Sequence, residues 1–408
     1  MAAWRRGSHL EKYQADLMQK MLARGYEHDF AARVCKQIEG FGEYGFPESH
    51  SASFALLVYI SAWIKRYEPA AFLAGLLNSQ PLGFYSPSQL VQDARRHGVP
   101  VFAPDVSLSD WESVLEARAG DGERIGFDAG KERRRQQFYG AAESDRVFRK
   151  TVQRAARRLR KRVELDGRQY GAKGPGVRIG LQLIKGLPQA AAERIMAARA
   201  EAPFIDVDDL TRRAALSRRE LEALAAGNAL ASIAGHRRQA WWAVTAQQRA
   251  PELLRDAPMS EAPLLLPEAS EGREIVDDYA SLGLTLNRHP LALLRAKLAR
   301  MRFKTAAELA DIRNGRFVRA CGIVTVRQRP GTANGTIFVS IEDETGAINV
   351  IVWPGLVEKQ RKVLLGASLL GVHGVWQMEG EVRHLVAQRL EDHSALLGRL
   401  AAPSRDFH

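Results

Sequence analysis

The sequence predicts a multidomain α+β chain, helical through its first part and β-rich towards its end. Three observations carry that expectation. Apolar residues recur at helical spacing between residues 10 and 97, two successive helix–turn–helix patterns occupy residues 177–231, and residues 316–391 alternate like strands around an Asn334-Gly335 turn signal.

The chain has 408 residues, 46% of them hydrophobic, enough to bury more than one core and to fill roughly two to four domains. Its net charge of +12 favours a polyanionic partner, nucleic acid first, although a basic surface that is only solvated gives the same count. Cys35 and Cys321 are too few for a zinc site or a disulfide framework, which fits a reducing cytoplasm. The arginines near Met1 have no apolar run behind them, so they do not read as a signal peptide.

Residues 10–38 read as two scaffold helices. Leu10, Tyr13, Leu17 and Met21 form one stripe, Phe30, Val34 and Ile38 another, and Gly25 separates them. The stretch Gly40–Asn78 is the most informative. Gly40, Gly42 and Gly45 permit a tight loop, Pro47 suits a first helical turn, and Ser49 or Ser51 is the expected N-cap. Such a helix start aims free N–H groups and the positive dipole end at whatever precedes it. Ser49 and His50 add donors there, so the junction reads as an anion site for phosphate. A plainer alternative fits the same spacing: Ser49 caps a buried helix and His50 is an ordinary packed residue. The apolar run Ser51–Ile64 is shorter than the roughly 20 residues that cross a bilayer, so a buried core helix is expected, closed by Lys65, Arg66 and Pro69.

FGEYGFPESHSASFALLVYISAWIK, continued by EPAAFLAGLLNSQPLGFYSPSQLVQDARRHGV, closely resembles the fingers region of the C-family bacterial DNA polymerases, the DNA polymerase III alpha-subunit type. Pro47-Glu48 and NSQPLGFYSPSQLVQDARRHG resemble its error-prone, damage-tolerance branch (DnaE-like, also called ImuC). Similarity resumes at VRIGLQLIKGL and runs to SRDFH. The resemblance implies that Ser49 and His50 lie near the incoming nucleotide. It places Arg95 and Arg96, on the outer face of a helix expected over Gln89–His97, in the outer fingers, where a phosphate contact and a solvated face are both open readings. Replicative relatives read Asn-Lys at Pro47-Glu48, and a Glu48 carboxylate at a helix N-terminus would itself occupy the anion site. The family's palm, with its metal-binding aspartates, and its N-terminal PHP domain have no counterpart here. The chain is therefore expected to correspond to a C-terminal portion: a fragment, a truncated reading frame or half of a split polymerase.

Val99–Leu115 reads as extended segments broken by Pro104. In the family a short connection then leads to VRIGLQLIKGL; here it is about sixty residues long. Residues 131–162 hold 13 Lys or Arg against 3 Asp or Glu, so ten of the twelve net positive charges sit there. Phe148, Val152, Leu159 and Val163 recur at helical spacing, which leaves three readings open: a basic amphipathic helix for a nucleic-acid backbone or acidic partner, a disordered segment, or an aberrant insertion.

Lys185-Gly186-Leu187-Pro188 leads into a helix over Gln189–Arg199; Val207–Arg213, a turn at Leu216 and the capping box Ser217–Glu220 form a second unit ending at Gly227-Asn228. Gly186 lets a phosphate approach the backbone and Lys185 supplies charge. The pair resembles the family's tandem helix-hairpin-helix, which implies duplex phosphates met by hairpin amides. A structural hairpin with a C-cap glycine is the alternative. The linker that follows carries an apolar knot, Leu264–Leu266, where replicative relatives have a clamp-binding peptide. Its Gln-led motif is missing, so recruitment through accessory proteins of the mutagenesis complex (the ImuA and ImuB type) is implied instead; a domain-packing anchor is the other reading.

Residues 316–391 give five strands with a helix, Gly355–Leu364, between the third and fourth, the pattern of an OB-fold barrel. Its open face would stack bases of a single strand, with Arg327, Arg329, Phe338 and Arg383 as candidates and Trp353 and Trp376 assigned to the core. The family resemblance includes this module.

The expected division is a fingers region over 1–117, a basic insertion over 118–176, the tandem hairpins over 177–246, a linker over 247–273, a helical connector over 274–312, the barrel over 313–395 and a tail over 396–408. The resemblance implies the C-terminal DNA-binding part of an error-prone polymerase for damage-induced (translesion) synthesis. It would hold duplex DNA by the hairpins and a single strand by the barrel. Deoxynucleoside triphosphates and Mg2+ belong to the complete enzyme, and this chain is expected to have no catalytic residue, no metal ligand, no cofactor and no activity alone. A non-catalytic DNA-binding accessory module or truncated gene product is the alternative reading.

Overall fold

The computed structural model describes residues 10–43, 48–83, 85–118, 170–246, 266–331, 333–380, 382–400 and 405–407, and falls into two units, Met1–Arg66 and Tyr67–His408. The basic segment 131–162, with its expected helix from Phe148 to Val163, and Leu264 and Leu265 of the apolar knot lie outside the described residues.

The first unit is helical: α1 Leu10–Ala23, α2 His28–Glu43 and α3, which starts at Glu48. The turn between α1 and α2 is a Schellman motif. The Tyr26 N–H donates to the Met21 carbonyl at 3.2 Å and the Gly25 N–H to Leu22 at 3.0 Å, with Gly25 at φ 82° supplying the left-handed step. Among the described side chains of α2, Ala31 and Cys35 are buried, while Phe30, expected on a helical stripe, is exposed. The apolar helix α3 departs from expectation in two ways. Ser49 and Ser51 lie inside its first turn, so neither is the N-cap. Nor is it a core helix: from Ser51 onwards no residue of α3 is buried, and Phe54, Leu57, Val58 and Tyr59 are all more than half exposed.

The second unit begins with α4, Pro69–Asn78, and α5, Pro87–Arg96. Pro stands at the start of each. Ala70, Leu73, Ala74 and Leu77 bury the inner face of α4, and Ser86 caps α5 through a capping box with Gln89. Strands β1 Val101–Phe102, β2 Val114–Glu116 and β3 Gly176–Arg178 form a small sheet in the order β1-β3-β2. A buried bidentate pair fastens it: Arg178 Nε and Nη2 donate to Glu116 at 2.7 and 2.5 Å. The helices α6 Gln189–Glu201, α7 Val207–Arg213, α8 Arg218–Ala226, α9 Ala231–Ala234 and α10 Arg237–Ala246 follow. One core runs from Ala70 through Val177 and Leu224 to Leu284. Helices α4 and α5, the small sheet and the hairpin helices thus share one core.

The two hairpins repeat one backbone pattern. In the first, Gly186 has φ 84° and is followed by buried Leu187 and the N-cap Pro188; in the second, Ala215 has φ 47° and is followed by buried Leu216 and the N-cap Ser217. Only glycine takes that conformation without strain. Ala215→Gly should therefore raise stability by about 0.5–1 kcal/mol in denaturant unfolding, whereas Gly186→Ala should lower it.

A connector of α11 Glu271–Ser281, α12 Pro290–Arg300 and α13 Ala306–Ala310 leads to the barrel. The barrel strands are β4 Phe317–Gln328, β5 Ile337–Glu342, β6 Ala347–Val352, β7 Leu369–Glu379 and β8 Val382–Asp392, with α14 Pro354–Gly366 between β6 and β7. Their order is β5-β6-β8-β7-β4, closed by pairing of β4 with β5, and a short β9, Arg405–Phe407, runs parallel to β4 in the expected tail. Asn334 and Gly335 both have positive φ, as the turn signal predicts, but within the longer loop 329–336 rather than a two-residue hairpin.

The β5–β6 turn docks the barrel on the helices. Buried Asp343 accepts from Thr345 N at 2.7 Å, Gly346 N at 3.0 Å and Ala306 N at 2.7 Å. Arg295 pairs with Glu344, Nη2 to Oε2 at 2.8 Å, and Arg96 with Glu342 at 3.3 Å. His289 caps α12 by accepting from Leu291 N at 3.2 Å, and burial holds its imidazole down to about 4, against a weaker opposing pull from Glu344, while Arg96 and Arg295 push the same way as burial. An imidazole that stays neutral when folded stabilises above its unfolded value of 6.5; that contribution is lost as pH falls from 6.5 to about 4, by roughly 3 kcal/mol. His289→Asn keeps a capping acceptor without a titrating group, so its unfolding free energy should fall less steeply with acid over that window.

Candidate nucleic-acid interface

The outer face of the barrel follows from register. Phe338 on β5 pairs with Ile351 on β6, and Ile351 with Val386 on β8, so three half-buried apolar side chains line up across neighbouring strands. Ser340 and Asn349 pair beside them as a polar row. Gln328 of β4 completes the row as the other partner of Phe338, and Arg329, exposed, follows it into the loop.

A register shift in β4 between Val324 and Val326 decides what the arginines do. A one-residue slip turns every later side chain to the other face. Arg327 thereby pairs with core-facing Val339 and is only 6% exposed; its Nε donates to the Leu364 carbonyl at 2.7 Å and its Nη2 to Ala367 at 2.5 Å. It closes the C-terminal end of α14 and is not available to a strand of nucleic acid. Arg383 is exposed but shares the inward parity of Leu385 and Ala387, at the mouth of the barrel away from Arg329. Trp376 is buried as expected, but Trp353 is not: it is 55% exposed at the start of α14, two residues past Ile351 and on the outward parity. The alternation of β6 carries that signal, because Trp353 keeps the parity of Ile351.

The other candidates are dispersed. Lys185 sits at the first hairpin, but its Nζ donates to the carbonyls of Tyr279 at 3.2 Å and Ala280 at 2.9 Å, closing the C-terminal end of α11. Gly186 is exposed with open space where a Cβ would stand. Arg95 is exposed on α5, whereas Arg96 is committed to Glu342. Ser49 and His50 are placed in the first turn of α3, with their side chains outside the description. Among the described residues no group of three His, Cys, Asp or Glu could hold a metal ion, and burial pushes the Cys321 thiol up to about 12, which leaves it inert.

The helix-hairpin-helix motif model matches residues 98–240, and an OB-fold nucleic-acid-binding domain model matches residues 318–392. The first match spans the small sheet and both hairpins, the second the five-stranded barrel. Error-prone DNA polymerase from Ralstonia nicotianae is 54% identical over 413 residues, covering 100% of this chain and 34% of its own, and that of Azoarcus sp. is 52% identical over 408 residues with the same coverage. The chain resembles error-prone DNA polymerases from end to end. It spans about a third of the length of these relatives. Among solved structures, an asparaginyl-tRNA synthetase from Pyrococcus horikoshii overlaps 19% of this chain and 20% of its own at 25% identity, with a TM-score of 0.17, a likeness too partial to bear on function. No helix among the described residues is long and apolar enough to cross a membrane.

Arg329→Ala should weaken binding of a single-stranded oligonucleotide and lower the slope of log affinity against log salt by about 0.7. Arg327→Ala should instead destabilise the fold by roughly 2–4 kcal/mol in thermal unfolding, because it leaves two helix-end carbonyls and an interior site unfilled.

Proposed function

We propose that this chain is the DNA-holding part of an error-prone DNA polymerase acting in damage-induced, translesion synthesis in the cytoplasm. The observation that carries the reading is identity above half, along the whole chain, to proteins named error-prone DNA polymerase. The barrel takes the single-stranded part of a primed template on the row Phe338, Ile351 and Val386, with Arg329 against the phosphates. The hairpins, of which Gly186 leaves the more open backbone, meet the duplex backbone without reading bases. Ser49 and His50 at the start of α3 belong near the triphosphate of an incoming deoxynucleotide. Nucleotidyl transfer itself needs carboxylate-held Mg2+ ions that activate the primer hydroxyl and stabilise the leaving pyrophosphate, and the described residues offer no cluster for them. Those ions belong with the palm of the complete enzyme, which accessory proteins of the ImuA and ImuB type would recruit.

Purified chain should bind primed DNA with an affinity that falls steeply with salt, and should not extend a primer when given Mg2+ and deoxynucleoside triphosphates. Primer extension by the chain alone overturns the division of labour, and absence of DNA binding at low salt overturns the DNA-holding role.

A further inference from the structure

Trp353 neither fills the core nor completes the apolar row. It stands outward at 55% exposure, a position that leaves a large apolar surface in water. Its backbone is held, not loose: φ −71° and ψ 154° continue the strand, its carbonyl accepts from Leu356 N at 2.9 Å and Val357 N at 3.0 Å, and Pro354 follows it beside Gly335 of the 329–336 loop.

The strand geometry sets its distance from Phe338. Trp353 lies two residues beyond Ile351, the direct partner of Phe338, so the two aromatic side chains are offset by about 6.6 Å along the strands and about 4.8 Å across them, roughly 8 Å in all. Adjacent bases in a duplex strand are separated by less than half that, roughly 3.4 Å. A stacked duplex step cannot reach both rings. A single strand with its bases drawn apart can, one base on each ring, with Arg329 on the β4 side of Phe338 for a phosphate flanking that base.

We propose that Trp353 and Phe338 form a two-point stacking platform for successive unstacked bases of a single strand. The proposal rests on the reading of the barrel as the single-strand face and adds to it the residue that makes the face select unstacked bases.

The test titrates the full chain with a ten-residue oligothymidylate and follows tryptophan emission. The wild-type protein should be quenched on binding. Trp353→Phe, which keeps a flat ring, should bind within a few-fold of wild type and lose most of the quench even though six other tryptophans remain. Trp353→Ala and Phe338→Ala should each weaken binding roughly tenfold, the scale of one lost base stack. An abasic oligonucleotide of the same length should bind Trp353→Ala and wild type alike. If wild type binds oligothymidylate but Trp353→Ala binds as tightly, or the quench survives in Trp353→Phe, the platform is overturned and the single-strand reading stands. If wild type binds no oligonucleotide, both fall. Should Trp353→Ala melt well below wild type, the quench in Trp353→Phe decides.

Discussion

The barrel depends on one strand doing two jobs. β4 runs for twelve residues, pairing with β7 along its first half and with β5 along its second. The change of register between Val324 and Val326 makes this possible, since a bulge bends the strand and increases its twist, so that it can leave one neighbour and close on another. Val324 faces inward before the slip, and the slip leaves Gln328 outward and turns Arg327 towards Leu364 and Ala367. Closure of the fold, anchoring of α14 and the exposed row at Phe338 thus share one irregularity.

The fate of the positive charges follows from a second constraint. The last carbonyls of a helix have no partner within it and carry its negative dipole end, so a nearby guanidinium or ammonium satisfies them. Arg327 does this for α14 and Lys185 for α11, and Arg213 reaches the carbonyls of Ala198 and, at 2.8 Å, Ala202 at the end of α6. Arg237 is more deeply committed: it is 3% exposed and bonded to Glu274 and Asp278, and Asp278 also accepts from Thr285 Oγ1 at 2.5 Å. Removing one partner of such a network costs several kcal/mol because the other charge is left buried. A basic composition is in this way partly an account of internal fastening, and outward cations such as Arg329 remain for a polyanion.

Much of the candidate interface was legible for the same reason that the strands were. Alternation identifies β5 and β6, and it places Phe338 outward. What alternation does not carry is the bulge, because Val-Thr-Val at 324–326 reads as uninterrupted strand, so Arg327 reads as facing outward; Arg329 is exposed because the strand ends at Gln328. Trp353 was obscured differently: tryptophan is usually buried, and parity should have outweighed residue type. The apolar helix α3 shows the converse limit. Its composition requires a cover, but composition does not supply one, and Phe54, Leu57 and Val58 stand exposed.

Local signals in the sequence determined the elements. Pro69 and Pro87 open helices because their fixed φ suits a first turn, Ser86 and Ser217 cap because their hydroxyls accept from the third residue on, and Gly25 ends α1 because a left-handed step is needed there. These are effects within a few residues, so a one-dimensional reading contains them. Only the tertiary structure decided which cations point outward, where the hairpin body ends and how the barrel meets the helices. Those outcomes rest on pairings between residues far apart in the chain, Arg96 with Glu342, Lys185 with Tyr279 and Ala280, Arg327 with Leu364 and Ala367. Each pairing satisfies a buried or helix-end polar group whose need for a partner is visible only once the backbone has brought it there.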